Sequence, residues 1–268
     1  MNLKYSYWWF QSVIPPEICD AIIERGIEEL YSLQNQFGVE STYGTTGDHR
    51  HKDSINMRND PQSISADDMT VQQLKRKKIN PEKVYVRDSQ VSWLNDKWIF
   101  DTIRPFVQQA NHRAGWNWDW DFIETLQFTK YGLNQFYGWH ADSTPIPYEM
   151  WDKDTVEPLK DKDGNIIYDV WGKPVPPDGH YTENNDMAGK IRKLSVTINL
   201  VNSSNYKGGN LRFDFGPHAD RKRFHTCTEI RPQGSVIVFP SFVYHQVTPV
   251  TEGTRYSLVA WCLGKPFV

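Results

Sequence analysis

His140 and Asp142, in the run Gly138-Trp-His-Ala-Asp142, are answered about a hundred residues later by His245 and then by Arg255. Two imidazoles and one carboxylate on adjacent β elements are the smallest set that holds one face of an octahedral iron(II), leaving the opposite face open to a keto-acid and dioxygen. Arg255 is the cation such a site needs to grip the far carboxylate of that keto-acid. These residue types imply a reaction class and say much less about the substrate.

A His followed two positions later by Asp occurs three times, as His51/Asp53, His140/Asp142 and His218/Asp220. Context separates them. His51/Asp53 lies among Gly and charged residues and reads as a loop. His218/Asp220 lies between two strand-like runs, next to Pro217, and reads as a solvated hairpin tip. Only His140/Asp142 follows directly on β-rich runs, 122–131 and 135–139, and it is the candidate ligand pair. The bland alternative is a surface Asp beside a structural His.

The elements that must carry these residues are legible in outline. Residues 15–33 read as a helix, with Pro15 and Pro16 suited to its first turn and Ile18, Ala21 and Ile22 at helical spacing. Residues 35–68 are polar and rich in Gly, Asn, Asp and Ser, a loop long enough to act as a lid. A short basic-ended helix is expected over 67–78, a strand over 84–94 and a second helix over 96–114. After Ala114 the pattern turns to strands: 118–131, 135–139, 192–201, 210–215, 224–230, 235–239, 243–247 and 254–263. Helices first and many short strands afterwards make an α+β, predominantly β layout with a jelly-roll or barrel core. The Pro-rich stretch 143–190 reads as an insertion between Asp142 and the next core strand. The expected organisation is one domain over 1–268, with 1–114 as helical support and 115–268 as the core.

Alternation along a strand predicts which side chains share the interior. His245 shares a face with Val243 and Val247, and Arg255 with Ser257 and Val259. An Arg inside a barrel is costly unless it meets an anion. A salt bridge to a protein carboxylate is one solution; a charge-assisted contact to a dicarboxylate cofactor, with Ser257 adding a hydroxyl, is the other. Gln127, Thr129 and Tyr131 alternate with Leu126, Phe128 and Lys130, and Ser195, Thr197 and Asn199 alternate with Leu194, Val196, Ile198 and Leu200. Inward polar groups need partners. A cofactor would supply some, with Tyr131, Thr197 and Asn199 as contacts, and buried water would serve equally.

Composition narrows the classes. A net charge of −3 with both signs interspersed suggests neither a nucleic-acid nor a membrane-surface protein. Eleven Trp make a large aromatic core affordable despite the polar average. Cys19, Cys227 and Cys262 are odd in number and widely spaced, which argues against a disulfide framework and fits a reducing compartment. The N-terminal residues lack a signal-peptide pattern, and no apolar run is long enough to span a bilayer, so a cytoplasmic protein is expected.

The chain resembles the iron(II)/2-oxoglutarate-dependent dioxygenases, in their prolyl 4-hydroxylase-like branch. The likeness runs through residues 9–19, 87–94, Tyr131 with 138–142, 192–200, 206–213, 234–241 and His245-x9-Arg255-x-Ser257. It implies a double-stranded β-helix (jelly-roll) core with N-terminal helices packed on one sheet. It also implies iron(II) on His140, Asp142 and His245 as the catalytic centre. 2-Oxoglutarate would be held by Arg255, Ser257 and Tyr131, with dioxygen as co-substrate and ascorbate as a reductant. The insertion 143–190 and the loop 35–68 depart from the shared core.

The resemblance points to a peptide or protein substrate containing proline; Trp93, Trp139 and Tyr244, from the surplus of aromatics near the site, are candidate contacts for the prolyl ring, with plain core residues as the alternative. Three alternatives stay open: oxidation of a free amino acid or other small molecule, nucleic-acid demethylation, and a non-catalytic metal-binding jelly-roll. Nucleic-acid demethylation has only the basic runs 75–78 and 221–223 in its favour, and the second Arg typical of those enzymes, six residues past Arg255, is Trp261 here.

Overall fold

The computed structural model describes residues 3–44, 64–65, 84–85, 87–143, 145–160, 164–166, 168, 173–176, 181–216 and 223–267. The expected helix at 67–78, the pairs His51/Asp53 and His218/Asp220, the run 75–78 and most of the loop 35–68 lie outside the described residues.

Helix α1 (Pro16–Phe37) opens on prolines and buries Cys19, Ile22, Gly26, Leu30 and Leu33, one every three or four residues. It runs one turn beyond the expected end at 33 and stops at Gly38, whose φ of 87° an L side chain would resist. Helix α2 (Lys97–Arg113) buries Ile99, Ile103, Val107 and Ala110. Both stripes pack into one core with Leu94, Leu126, Phe128, Leu194, Val236 and Leu258 from the larger sheet. The helices therefore cover that sheet from outside and leave its other face to the site.

The core strands are β1 (Trp8–Phe10), β2 (Arg87–Asp88), β3 (Gln90–Leu94), β4 (Leu126–Tyr131), β5 (Phe136–His140), β6 (Ile191–Asn199), β7 (Leu211–Asp214), β8 (Phe224–Thr226), β9 (Val236–Pro240), β10 (Tyr244–Val247) and β11 (Arg255–Gly264). The larger sheet runs β1-β9-β6-β11-β4-β3, with Phe122–Ile123 paired to β11, and the smaller runs β8-β7-β10-β5-β2. From β4 onward the chain alternates between the two sheets except at the β7–β8 hairpin, both of whose strands lie in the smaller sheet, and every pairing within the two sheets is antiparallel. This is the expected jelly-roll, predominantly β with α-helical support.

Two expected strands are broken. The run 84–94 divides at Ser89, because Arg87–Asp88 pairs with β5 in the smaller sheet while Gln90–Leu94 pairs with β4 in the larger. The run 118–131 divides at Glu124, whose carboxylate turns aside to a bidentate ion pair with Arg192 at 2.6 Å. Within the insertion after Asp142, Tyr148 N donates to Lys190 O at 2.9 Å and Gly189 N to Tyr148 O at 2.8 Å, which holds its two ends against each other. No described helix is long and apolar enough to cross a membrane.

Gly26 is where α1 meets the larger sheet. A Cβ there would lie 2.3 Å from Phe128 Cγ, and Gly26 O accepts the Ser92 hydroxyl at 2.9 Å. Gly26→Ala is therefore expected to destabilise the fold by about 1–3 kcal/mol through overpacking. Urea unfolding measures this, and an unchanged midpoint would contradict the described contact.

Candidate metal and keto-acid site

His140 and His245 face each other directly across β5 and β10, with ring centroids 4.1 Å apart. Asp142 lies two residues past the end of β5, where its N–H donates to Ser241 O at 2.9 Å. Ser241 follows β9 of the larger sheet, so the carboxylate is held where the two sheets meet. Asp142 Oδ1 is 3.5 Å from His140 Nε2, and Oδ2 is 3.6 Å from His245 Nε2. All three donor atoms lie within 4.8 Å of one another, the one such cluster among the described residues. Cis donors around a metal at about 2.1 Å need to be roughly 3 Å apart, so the set fits a single ion with little movement.

The groups behind the donors fix their orientation. His140 Nδ1 lies 2.8 Å from Gly138 O and His245 Nδ1 lies 3.0 Å from Val243 O, in each case the carbonyl two residues earlier. A carbonyl at Nδ1 holds the proton there and leaves Nε2 as the lone-pair donor of a metal ligand. Ser195 Oγ donates to Asp142 Oδ2 at 2.6 Å and is itself 2.9 Å from Ser241 Oγ. Arg192, paired with Glu124, reaches Asp142 O at 3.3 Å.

Electrostatics favour the metal-binding forms. Burial, with the nearby His140 imidazole, pushes His245 down to about 4. Burial alone would raise the Asp142 carboxyl, but His245, His140 and Arg192 outweigh it and hold the group well below the ordinary carboxylate range. Near neutral pH the site thus presents a neutral His245 and an ionised carboxylate.

A register shift sets what else faces the ion. Between the pairs His245–His140 and Val247–Tyr137, β5 has one more residue than β10. This bulge, at Gly138 and Trp139, reverses the alternation, so that Tyr137 and His140 both line the cavity. Trp139 is turned the other way. It lies 5.3 Å from Phe224 with Arg212 over its ring, away from the cavity lining. Tyr244, 44% exposed, likewise projects outward, because it is one residue from the inward His245. Of the expected aromatic contacts only Trp93 approaches the site, 6.2 Å from the cavity-lining Trp261.

Arg255 lines the same cavity as the triad. It is 1% exposed. Among the described residues it hydrogen-bonds Ser257 Oγ at 3.3 Å, with the Tyr131 ring 5.5 Å away. No carboxylate among the described residues forms an ion pair with it. Ser257, Tyr131, Thr197 and Gln127 share that wall, and burial raises the Tyr131 phenol, keeping it a neutral donor. Asn199 is not part of it. Its amide donates to Val201 O at 2.8 Å and Arg231 O at 2.7 Å, where it ties down the loops beyond β6.

Sequence reasoning missed Tyr137, the Arg192–Glu124 pair, the Ser195 bond to Asp142, and Trp261 as a wall of the cavity. The isolated Gly138 inside a strand pattern was the available signal for the bulge. Arg192 stacks over Trp261 at 4.1 Å, and Arg223 of the run 221–223 is ion-paired with Asp214.

The model of the 2OG-Fe(II) oxygenase superfamily matches residues 126–263, and the chain belongs to that superfamily. Among curated relatives, a PKHD-type hydroxylase of Synechococcus sp. (strain CC9605) is 36% identical over 83 residues, 31% of this chain and 35% of the relative. One from Picosynechococcus sp. is 35% identical over 96 residues, 36% and 40% of the two chains. The matches thus span little more than a third of those relatives. Among solved structures, the viral collagen prolyl hydroxylase of Paramecium Bursaria Chlorella virus-1 aligns over 97% of each chain at 14% identity and a TM-score of 0.49. A Pseudomonas putida prolyl-4-hydroxylase aligns at 15% identity and a TM-score of 0.44, over 97% of this chain and 92% of that one.

The low position of His245 has a consequence for the metal-free protein. The unfolded chain takes up this proton near pH 6.5, the folded protein only near 4. Stability from this residue is therefore complete above pH 6.5 and is lost as pH falls towards 4, by on the order of 3 kcal/mol. Chemical denaturation across that window is expected to show the decline in the parent and a flatter profile in His245→Gln. Equal slopes would contradict the assignment.

Proposed function

We propose that the chain is an iron(II)- and 2-oxoglutarate-dependent hydroxylase whose metal is held by His140, Asp142 and His245. One observation carries this reading: a three-donor cluster and a buried Arg255, with no carboxylate partner among the described residues, line one cavity. A guanidinium enclosed without a counter-charge is costly, and a dicarboxylate with its other end at the metal would relieve it. Iron(II) bound with 2-oxoglutarate would supply the oxidising chemistry: dioxygen and keto-acid give succinate and carbon dioxide, and one oxygen atom enters a C–H bond of the substrate.

The protein's share is binding and orientation. Arg255 and Ser257 grip the distal carboxylate, Tyr131 and Thr197 border the keto-acid, and Ser195 steadies the Asp142 carboxylate. Trp261 and Val196 exclude water from one wall, Leu211, Phe239 and Val247 from another. We assign a peptidyl proline as substrate. The sequence resemblance supports this, as does the aromatic path from the half-exposed Trp93 to Trp261, which offers flat faces to a prolyl ring. Tyr148 of the insertion is hydrogen-bonded through its backbone to Gly189 and Lys190, next to β6 and its Arg192, so the insertion is positioned to shape substrate choice.

Two tests follow. Protein supplied with iron(II), 2-oxoglutarate and ascorbate should release succinate and add one oxygen atom to proline in a peptide library. Mass spectra showing oxygen on a free amino acid and none on peptides would overturn the substrate. Metal-dependent succinate release absent from every condition would overturn the reaction.

Arg255→Met should weaken 2-oxoglutarate binding roughly 30-fold or more, since a buried charge partner is worth about 2 kcal/mol or more. The same variant should leave the ligand-free protein as stable as the parent or more so, because an uncompensated charge has been removed. Calorimetry and thermal unfolding read the two effects, and unchanged keto-acid affinity would contradict the role.

A further inference from the structure

Tyr137 lies flat against the His140 imidazole, with centroids 3.6 Å apart and planes 12° from parallel. The Arg87 guanidinium carbon lies 4.4 Å from the centroid of the same phenol ring. Two groups this close cannot share one face of a six-membered ring, so Arg87 covers the face opposite His140. The sheet agrees: Arg87 is paired directly with Tyr137 on one edge of β5, while β10 with His245 occupies the other edge.

Arg87 is itself firmly seated. Its Nε donates to Ser89 Oγ at 2.9 Å and its Nη2 to Gln127 Oε1 at 2.8 Å. Gly44 closes over this pair, its N–H donating to Ser89 O at 2.8 Å. A Cβ on Gly44 would fall 2.5 Å from both Arg87 Nε and Ser89 Oγ, so no larger residue fits without displacing the guanidinium.

A ligand imidazole must direct the Nε2 lone pair, which lies in the ring plane, at the metal. His245 has its plane set by packing, with Phe239 edge-on at 4.8 Å. For His140 the Gly138 carbonyl fixes the tautomer, and the Tyr137 ring is the flat surface that fixes the tilt. We propose that Arg87 is a positioning residue of the metal centre, acting through the Tyr137 ring to set the plane of His140, with Gly44 keeping Arg87 in place. This rests on the metal-binding reading given above.

Cobalt(II) titration of the metal-free protein tests it without turnover, through affinity and the visible absorption of the bound ion. Tyr137→Leu and Arg87→Met are expected to weaken cobalt binding on the order of tenfold and to alter the absorption envelope. Tyr137→Phe, which keeps the flat ring, should match the parent, and Gly44→Val should resemble Arg87→Met. Parent-like affinity and spectrum in folded Arg87→Met would overturn the proposal, as would equal damage from Tyr137→Phe and Tyr137→Leu. If Arg87→Met does not fold, Arg87→Lys decides, because it keeps the charge and loses the planar fork; parent-like cobalt binding there is equally fatal. His140→Ala separates the two readings: if it binds cobalt like the parent, the metal site itself is wrong, whereas loss in that variant alone removes only the role of Arg87.

Discussion

The register of β5 against β10 is the constraint on which the site depends. It puts His140 opposite His245, and the first turn out of β5 then carries Asp142 to the Ser241 carbonyl beside β9. A slip of one residue in either strand would send one imidazole to the outer face. The bulge at Gly138 and Trp139 belongs to the same constraint, since without it Tyr137 and His140 could not face inward together. Rigid strands, rather than loops, thus set two of the three donors.

The second constraint is electrostatic. The cavity has a carboxylate between two imidazoles at one end and an enclosed guanidinium on its wall, and the two charges are handled differently. Asp142 is stabilised by the imidazoles, by Arg192 and by the Ser195 hydroxyl. Among the described residues Arg255 has only the Ser257 hydroxyl at 3.3 Å. Arg192, by comparison, is ion-paired with Glu124. Arg255 thus differs from Arg192 in having no carboxylate partner among the described residues.

Much of this was legible in the sequence because it follows from period-two alternation. That pattern carried the inward placement of His245, Arg255, Ser257, Tyr131 and Thr197, and the helical stripes of α1 and α2 were equally regular. It failed where the backbone departs from regularity. The bulge turned Trp139 outward and brought Tyr137 in, and Ser89 let one apparent strand serve two sheets. Asn199 obeyed the alternation but sits at the strand end, where loop carbonyls claim its amide before the cavity can. Arg192 and Glu124 are 68 residues apart, and no local pattern announces a pair of that kind. The family likeness added the cofactor; neither it nor the spacing specified the bonds that orient Asp142.

A crystal structure of the protein with manganese(II) and 2-oxoglutarate addresses the central claim most directly. The account predicts one metal ion bonded to His140 Nε2, Asp142 and His245 Nε2, with the keto-acid between that ion and the Arg255 guanidinium. Electron density placing the metal on other side chains, or the keto-acid away from Arg255, would contradict it.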